Sequence, residues 1–329
     1  MTNESYWQDK NVLITGGTGF IGSFLTKKLI ENHAKVVCLT DNLAKESDFV
    51  RWGLDKKTEV ILGNVLDLEL LKSLTKKYGL THVFHLAAQS KIPVSIQDPF
   101  GTLKINIDGT INVLEACRLK GDLEAIVIAS SIGAYDANEK LPFTEESKLK
   151  GLSPYDASKS CVDILAQSYA KTYNLPITIT RFSNLYGGGD LNFDRLIPRT
   201  IKNLIEGKKV VVRYGGKPRR GFFYIDDAIN AFLLLGQKTA ELKLSGEAFN
   251  FGPNSPTSVK DLVEKIIKIS KIKKYELEMN DEGLHEVKDQ YSSNEKARKI
   301  LGWTNQYTLE RGLEKTFEYY RQYLKTERV

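Results

Sequence analysis

Short apolar runs alternate with amphipathic segments along the first half of the chain. The runs KNVLITG, KVVCLTD, THVFHLAA, EAIVIASS and PITITRFSN have the length and the β-branched content of buried strands. The segments between them, such as FIGSFLTKKLIENH, LDLELLKSLTKKYG and SPYDASKSCVDILAQSYAKTYN, place apolar residues at helical spacing. Strands that alternate with crossover helices predict an α/β fold, with a doubly wound parallel sheet covered by helices on both faces.

The pattern changes after about residue 185. Gly-rich turns, YGGGD and RYGGKPRRGF, precede the helical segments RLIPRTIKNLIEG and SVKDLVEKIIKIS, with too few strands for a second sheet of similar size. We therefore expect a smaller lobe over the carboxyl-terminal edge of the main sheet, where open α/β sheets bind ligands. The predicted larger domain covers residues 1–185 with a return segment near 222–250, and the smaller domain comprises most of 186–329.

Composition narrows the class of protein. Hydrophobic residues make up 41% of the 329 and charged residues 27%, which are ordinary values for a globular protein. The net charge of +6 comes from lysines scattered along the chain rather than from a basic stripe, so no nucleic-acid partner is expected. The polar N-terminus and the absence of a long apolar stretch predict neither a leader nor a membrane span.

Three cysteines lie far apart in apolar runs. Cys38, Cys117 and Cys161 are odd in number and lack the spacing of a disulfide framework or a metal site. We expect buried thiols in a reducing compartment, which means a cytoplasmic protein without a bound metal.

The first motif with chemistry is TGGTGFIG, between the first strand and its helix. Gly16, Gly19 and Gly22 allow a tight turn in which backbone N–H groups and a helix N-terminus approach a pyrophosphate. The second strand ends at Asp41, about 20 residues on, where an acid accepts hydrogen bonds from the ribose hydroxyls and repels a 2′-phosphate. NAD is therefore predicted rather than NADP. The alternatives are a plain turn for the glycines, and a helix N-cap or a turn residue for Asp41.

A second group of residues suggests alcohol oxidation. Ser131 ends the strand EAIVIASS, and Tyr155 and Lys159 lie four residues apart in YDASK. On a helix these two share a face, so we expect the lysine to lower the pKa of the phenol. Tyr155 is then a general base for a hydroxyl that Ser131 holds, while a nicotinamide takes hydride from the carbon.

The whole chain resembles an extended short-chain dehydrogenase/reductase of the nucleotide-sugar epimerase/dehydratase type. The resemblance rests on TGGTGFIG, HLAAQ, NIDGT, the strand-end serines, YDASK, RFSNLYGGGD and RRGFFYIDD. It implies a Rossmann-type NAD-binding domain, a small C-terminal domain for a nucleotide-diphosphate sugar, and a homodimer. It implies Ser131, Tyr155 and Lys159 as the catalytic residues.

The resemblance also implies binding residues. The cofactor contacts would be Gly16, Gly19, Phe20, Ile21, Gly22, Asp41, Asn42, Asn64, Val65, Leu86, Ala87, Ala88, Asn106, Tyr155 and Lys159. The substrate contacts would be Ser90, Ser131, Asn184, Arg195, Arg220 and Glu286, with Arg220 paired to a phosphate. The alternatives are a solvated loop for Arg220 and plain surface charge for Glu286.

The residues after the strand-end serine depart from the likeness to CDP-glucose 4,6-dehydratase. In such dehydratases an acidic residue and then a Glu or Lys follow, and these protonate the leaving C6 hydroxyl and remove the C5 proton. Here those positions hold Ile132 and Gly133, which transfer no proton, and the sequence points to no substitute.

Three hypotheses follow for the function. The first is NAD-dependent oxidation at C4 of a nucleotide-activated sugar, as a 4-epimerase or a 4-dehydrogenase. The second is a 4,6-dehydratase with relocated acid and base groups. The third is a nucleotide-binding protein without catalysis, against which the intact Ser131, Tyr155 and Lys159 argue.

Overall fold

Strands and helices alternate through the computed structural model, which describes residues 4–253, 255–280 and 289–326. In these ranges the strands are β1 (Asn11–Thr15), β2 (Lys35–Thr40), β3 (Glu59–Leu62), β4 (His82–His85), β5 (Ala125–Ser131), β6 (Ile177–Phe182), β7 (Asn184–Tyr186), β8 (Val210–Val212), β9 (Arg219–Arg220), β10 (Phe222–Tyr224), β11 (Ala248–Phe251), β12 (Thr257–Ser258), β13 (Leu277–Met279) and β14 (Asp289–Gln290). The α-helices are α1 (Phe20–Glu31), α2 (Asp48–Arg51), α3 (Leu68–Lys77), α4 (Ile92–Gln97), α5 (Pro99–Leu103), α6 (Gly109–Lys120), α7 (Pro154–Tyr173), α8 (Leu196–Glu206), α9 (Ile225–Glu241), α10 (Val259–Ser270) and α11 (Leu309–Thr326).

The central sheet has seven strands in the order β11-β6-β5-β4-β1-β2-β3. All of its pairs are parallel, with Thr15 of β1 opposite both Leu39 of β2 and His85 of β4. This order confirms the predicted α/β fold with a doubly wound parallel sheet. From β1 the strand order runs outward through β2 to β3 on one side, and it continues from β4 through β5 to β6 on the other side. The topology therefore switches between β1 and β4, and such a switch point opens a crevice at the carboxyl ends of the strands.

Both faces of the sheet are covered by helices. Along β1, Val12 and Ile14 pack in one core with Phe232 of α9, whereas Leu13 packs in a second core with Val113 of α6. Alternate side chains of a strand point to opposite faces, so a continuous apolar run indicates a strand buried on both sides. This explains why KNVLITG contains so few polar residues.

The second lobe is built from short elements around α8, α10 and α11. Its strands form the small sheets β10-β7, β12-β9-β14 and β13-β8. Two elements that follow residue 185 in the sequence belong to the main sheet instead: α9 packs on it, and β11 pairs with β6. The domain boundary near residue 185 stays a prediction.

The described residues also bear on the thiols and on membrane association. Cys38 and Cys117 are buried, as expected, but Cys161 is exposed, so the prediction of a buried thiol there was wrong. Cys161 lies on the outer face of α7, near the exposed Ile164, where the apolar residues do not face the sheet. Within the described ranges no helix is long and apolar enough to span a bilayer.

A buried ion pair joins α7 to β6. The Arg181 guanidinium donates through Nε and Nη2 to the Asp163 carboxylate at 2.7 and 2.8 Å, and through Nη1 to the Tyr135 hydroxyl at 2.8 Å. Tyr135 in turn donates to Asn250 of β11 at 2.7 Å. Bidentate geometry and further hydrogen bonds are what a buried ion pair needs to offset desolvation. The network therefore holds α7 against the sheet.

We predict that Asp163→Asn lowers the free energy of unfolding by about 3–5 kcal/mol, because it leaves the Arg181 cation buried without its counter-ion. Urea unfolding of the purified protein measures this loss. Glu69→Gln, which removes the exposed partner of Lys72, is the control and should change little. Equal, small losses in both variants would contradict a structural role for the buried pair.

Candidate active site

A cleft of about 920 Å³ lies at the carboxyl ends of the central strands, next to the second lobe. Its lining includes most of the predicted site residues: Gly16, Gly19, Phe20, Ile21, Gly22, Asp41, Asn42, Asn64, Val65, Leu86, Ala87, Ala88, Ser90, Ser131, Tyr155, Lys159, Asn184 and Arg195. The position agrees with the crevice expected at the switch point of the sheet.

The glycine loop after β1 forms one wall of this cleft. Gly16 has φ of +71°, and a Cβ there would lie 2.9 Å from the backbone nitrogen of Ala87. A Cβ on Gly22 would collide with the backbone of Gly16 and Gly17, so α1 packs directly on the loop. Gly19 precedes α1 and supplies no side-chain cap, which leaves the first N–H groups of the helix for an anion.

Asp41 stands free at the rim of the cleft. It is exposed, and no hydrogen bond joins its side chain to another described residue. The neighbouring helix α2 is capped by Ser47, so the alternative of Asp41 as an N-cap was wrong. The loop itself is fixed, because the Thr18 and Thr40 hydroxyls donate to the Asn42 carbonyl at 3.0 and 2.7 Å. An open carboxylate on a fixed loop suits two ribose hydroxyls.

The helix α7 brings Tyr155 and Lys159 to the end of β5. Ser153 caps α7, and Pro154 starts its first turn. The Ser131 hydroxyl accepts from the N–H of Gly133 at 3.0 Å and lies near enough to the Tyr155 phenol to favour its phenolate form. Lys159 is buried one turn further on, and its Nζ donates to the carbonyl of Ala129 in β5 at 2.8 Å. The three predicted catalytic residues therefore meet in one corner of the cleft.

Burial is the largest influence on the pKa values of Tyr155 and Lys159 in this corner of the cleft. It raises the pKa of Tyr155 to about 12, helped by the negative charge of Asp156 and opposed by Arg195 and Ser131. The expected lowering of the phenol's pKa was therefore wrong for the free protein, since losing water disfavours the phenolate more than nearby groups favour it. Burial likewise lowers the pKa of Lys159 to about 8.

His85 has a structural role, in keeping with its place in an apolar strand. Its ring nitrogens hydrogen-bond the hydroxyls of Thr15 at 2.7 Å and Thr110 at 2.9 Å. Burial lowers the pKa of His85 to about 3, so the ring stays neutral. The neutral imidazole, hydrogen-bonded through both ring nitrogens, therefore links β1, β4 and α6.

Three predicted binding residues are not among the cleft lining. Asn106 is buried in a π-helical turn, where its amide bonds the backbone of Gln89 at 2.8 and 3.0 Å and the Ser158 hydroxyl at 2.8 Å. Its polar atoms are thus used internally, and it positions Gln89, which does line the cleft. Arg220 is buried in β9, and Glu286 lies outside the described residues.

The sequence interpretation missed several titratable residues of the cleft, namely Lys91, Asp156, Tyr186, Asp190 and Asp194. Asp156 lines the cleft beside Tyr155, and its carboxylate lies against Gly133. An acidic residue in the first turn of a helix is common because it favours the helix dipole, so the letters YDASK draw no attention to it. Only the contact between residues distant in sequence reveals its place.

Comparison with known proteins gives consistent matches over almost the full chain. A family model described as GDP-mannose 4,6 dehydratase matches residues 13–316. The chain is 29% identical to human dTDP-D-glucose 4,6-dehydratase, covering 95% of this chain and 90% of that protein. It is 32% identical to UDP-glucuronate 4-epimerase 1 of Arabidopsis thaliana, covering 95% and 77%. The structure of dTDP-glucose 4,6-dehydratase from Bacillus anthracis with NAD aligns with a TM-score of 0.84 at 28% identity, covering 95% and 97%.

We predict that Gly22→Ala lowers the affinity for NAD at least about tenfold, because the added methyl pushes α1 away from the glycine loop. Isothermal titration with NAD measures the loss. Gly53→Ala is the control: it also strains the backbone, at φ of +64°, but its Cβ meets open space away from the cleft. An unchanged affinity in Gly22→Ala would contradict the close approach of helix and loop.

A second prediction concerns Lys159, whose buried ammonium opposes folding. Below pH 8, Lys159→Met should raise the free energy of unfolding by roughly 1–3 kcal/mol, since it removes a desolvated charge. The wild-type protein should gain stability between pH 8 and 10.5, where the unfolded chain binds the proton and the folded chain does not. Urea unfolding across this range should show the gain in wild type and not in the variant.

The control for this prediction is Lys171→Met, at an exposed position of the same helix, which should leave the pH dependence of wild type intact. A wild-type protein that gains no more stability between pH 8 and 10.5 than Lys159→Met does would contradict a desolvated ammonium.

Proposed function

Because the chain belongs to the GDP-mannose 4,6-dehydratase family, we propose that it oxidises C4 of a nucleotide-activated sugar with NAD, as a 4-epimerase or a 4-dehydrogenase. The observation that carries this proposal is the meeting of Ser131, Tyr155 and Lys159 in one cleft, where the next positions along the strand end transfer no proton. Ile132 is buried in an apolar cluster, and Gly133 has no side chain.

The glycine loop and the strand ends fit NAD. Gly16 and Gly19 would let backbone N–H groups approach the pyrophosphate, and Asp41 would accept hydrogen bonds from the ribose hydroxyls. Asn64, Val65, Ala87 and Ala88 would line the rest of the groove. Bound NAD supplies a positively charged nicotinamide that accepts a hydride from the sugar carbon.

In the mechanism we propose, Tyr155 removes the proton of the C4 hydroxyl. Ser131 holds the same oxygen by a hydrogen bond, and Lys159 keeps the junction of α7 and β5 in place through Ala129. The phenol is protonated in the free protein, with its pKa near 12, so positive charge in the loaded cleft must favour the phenolate. Arg195 already acts in that direction.

The sugar nucleotide would occupy the cleft between the sheet and the second lobe. Asn184, Ser90 and Arg195 line this part, and Arg195 is held by a 2.9 Å ion pair with Asp190. Its guanidinium is partly exposed, so it remains able to donate to a phosphate. The solved structure of UDP-glucose 4-epimerase from Thermotoga maritima contains UDP-glucose, which supports a ligand of this class.

The two outcomes of C4 oxidation differ in the fate of the ketone. A 4-epimerase rotates the ketone and reduces it on the other face, so it retains NAD and returns an isomer of the substrate. A 4-dehydrogenase releases the ketone together with one equivalent of NADH.

The second candidate function is a nucleotide-sugar 4,6-dehydratase. Relatives named as such support it, and so does the Asp156 carboxyl in the cleft beside Gly133, since elimination needs a further acid–base group. Loss of one water from the substrate would mark this outcome.

We also propose that the protein works as a homodimer in the cytoplasm. Three large apolar side chains are exposed on neighbouring helices: Ile96 of α4, Phe100 of α5 and Ile164 of α7 are 65%, 75% and 54% exposed. Helices that pair across a two-fold axis would cover them.

We predict that Tyr155→Phe lowers the rate of C4 oxidation by at least about 100-fold, because the base is lost, while nucleotide-sugar binding is nearly unchanged. The assay incubates the protein with UDP-glucose, dTDP-glucose, CDP-glucose and GDP-mannose, and follows NADH absorbance and product mass. Tyr169→Phe, on the same helix against Tyr173, is the matched control and should keep full activity. A Tyr155→Phe variant with the parent rate would show that another group is the base.

A further inference from the structure

The space beside Gly133 is already filled by a carboxylate. After β5 the chain makes a short 3-10 turn from Ile132 to Ala134. A Cβ built on Gly133 would collide with Oδ1 of Asp156 and would lie 3.4 Å from Oγ of Ser131. The Asp156 carboxylate therefore occupies the space that the first atom of a side chain at position 133 would take, close to the strand-end serine.

Two hydrogen bonds hold Asp156 in this orientation. The Ser153 hydroxyl donates to Oδ2 of Asp156 at 2.7 Å and accepts from its backbone N–H at 3.1 Å. The other oxygen, Oδ1, faces Gly133. The helix cap thus fixes one oxygen and directs the other toward Gly133, in the lining of the cleft.

The surroundings of Asp156 suit proton transfer. Burial raises the pKa of its carboxyl, so the group exchanges its proton closer to neutral pH than an exposed aspartate. A carboxyl with a raised pKa in a ligand cleft is a common feature of general acids and bases. Its negative charge also raises the pKa of Tyr155, so the two groups are coupled.

The α10 helix offers a direct comparison with a purely structural aspartate. Ser258 caps α10 and accepts from the N–H of Asp261 at 3.0 Å, which repeats the arrangement of Ser153 and Asp156. Asp261 is exposed and lies outside the cleft, whereas Asp156 is half-buried within it. Favourable interaction with the helix N-terminus therefore explains Asp261 but not the placement of Asp156 against Gly133.

We propose that Asp156 is the acid–base group that takes the proton from the carbon next to the C4 ketone, the C5 carbon. This inference rests on the proposed C4 oxidation, because a C–H bond becomes acidic only beside a carbonyl group. In the first step the C4 hydrogen leaves as hydride to NAD and the hydroxyl proton goes to Tyr155. In the second step the C5–H bond breaks, its electron pair forms the enolate, and the proton goes to Asp156.

Where C6 carries a hydroxyl, the same carboxyl completes an elimination. The enolate collapses to the ketone, the C5–C6 double bond forms, and the C6–O bond breaks. The departing hydroxide takes the proton from Asp156 and leaves as water. Tyr155 releases the proton of the C4 hydroxyl to solvent, and Asp156 takes up a solvent proton and delivers it to C5 while the hydride returns to C6. The product is a 4-keto-6-deoxy sugar, and the net change is the loss of one water.

The test is exchange of hydrogen with solvent at C5. The full-length protein with NAD is incubated in D₂O with UDP-glucose, dTDP-glucose, CDP-glucose and GDP-mannose, and deuterium is located in the product by mass spectrometry and NMR. We expect one deuterium at C5 with wild type. Asp156→Asn should lower its incorporation by about 100-fold or more. NADH formation in a single turnover is measured in parallel, and the loss of deuterium at C5 should be much larger than any change in NADH formation.

The Asn variant preserves the fold, since its amide oxygen still accepts from Ser153. Asp261→Asn is the matched control, because it removes the same charge from the same helical position, and it should exchange like wild type. Transfer of the carboxyl is a second check: Gly133→Asp combined with Asp156→Ala should recover part of the exchange that Asp156→Ala loses.

Three outcomes separate the claims. Wild type that forms NADH without deuterium at C5 overturns the role of Asp156 and leaves C4 oxidation standing. Asp156→Asn that exchanges like wild type also overturns this role. Protein that oxidises none of the four sugars overturns the proposed function and the inference that rests on it.

Discussion

The junction between α7 and β5 is the constraint on which the site depends. Lys159 donates to the carbonyl of Ala129, and the Ser160 hydroxyl donates to the carbonyl of Ala134 at 2.7 Å, so the helix is bonded to the end of the strand on both sides of Ser131. A strand end and a helix start are rigid elements, which place side chains more accurately than loops do. Tyr155 and Asp156 take their positions from this junction.

The same junction works against stability. It buries an ammonium, a phenol and a carboxyl with few opposite charges nearby, and the pKa of each shifts toward the neutral form. Such shifts mean that the folded state disfavours the charged groups that chemistry requires. The buried pair of Arg181 and Asp163 lies further along α7 and β6 and secures the helix where no chemistry is needed. The start of α7 thus carries candidate catalytic residues, and a later turn, through Asp163, contributes stability.

Much of this arrangement follows from the sequence. The alternation of apolar runs and amphipathic segments predicts the parallel sheet, and the four-residue spacing of Tyr155 and Lys159 places both on one face of a helix. The glycine spacing predicts the loop that approaches Ala87. These features are local or periodic, so they can be read without knowing which distant segments touch.

The remaining features depend on contacts and burial. Asn106 was predicted to touch the cofactor, but a π-helical turn aims its amide at Gln89 and Ser158. The sign of the Tyr155 pKa shift depends on how much water the folded cleft excludes. The missing acid–base group after Ser131 is replaced across space by Asp156, which no sequence spacing indicates. Only the three-dimensional structure shows that the carboxylate of another residue fills the side-chain space of Gly133.

The central claim is that hydride leaves C4 of the sugar when Tyr155 takes the hydroxyl proton. A nucleotide sugar carrying deuterium at C4 tests it directly, with the reaction quenched at early times within a single turnover, before the hydride returns to the sugar, and the nicotinamide analysed by mass spectrometry. The account predicts deuterium on the nicotinamide with wild type and none with Tyr155→Phe. Product formed by wild type with no deuterium ever reaching the nicotinamide would contradict it.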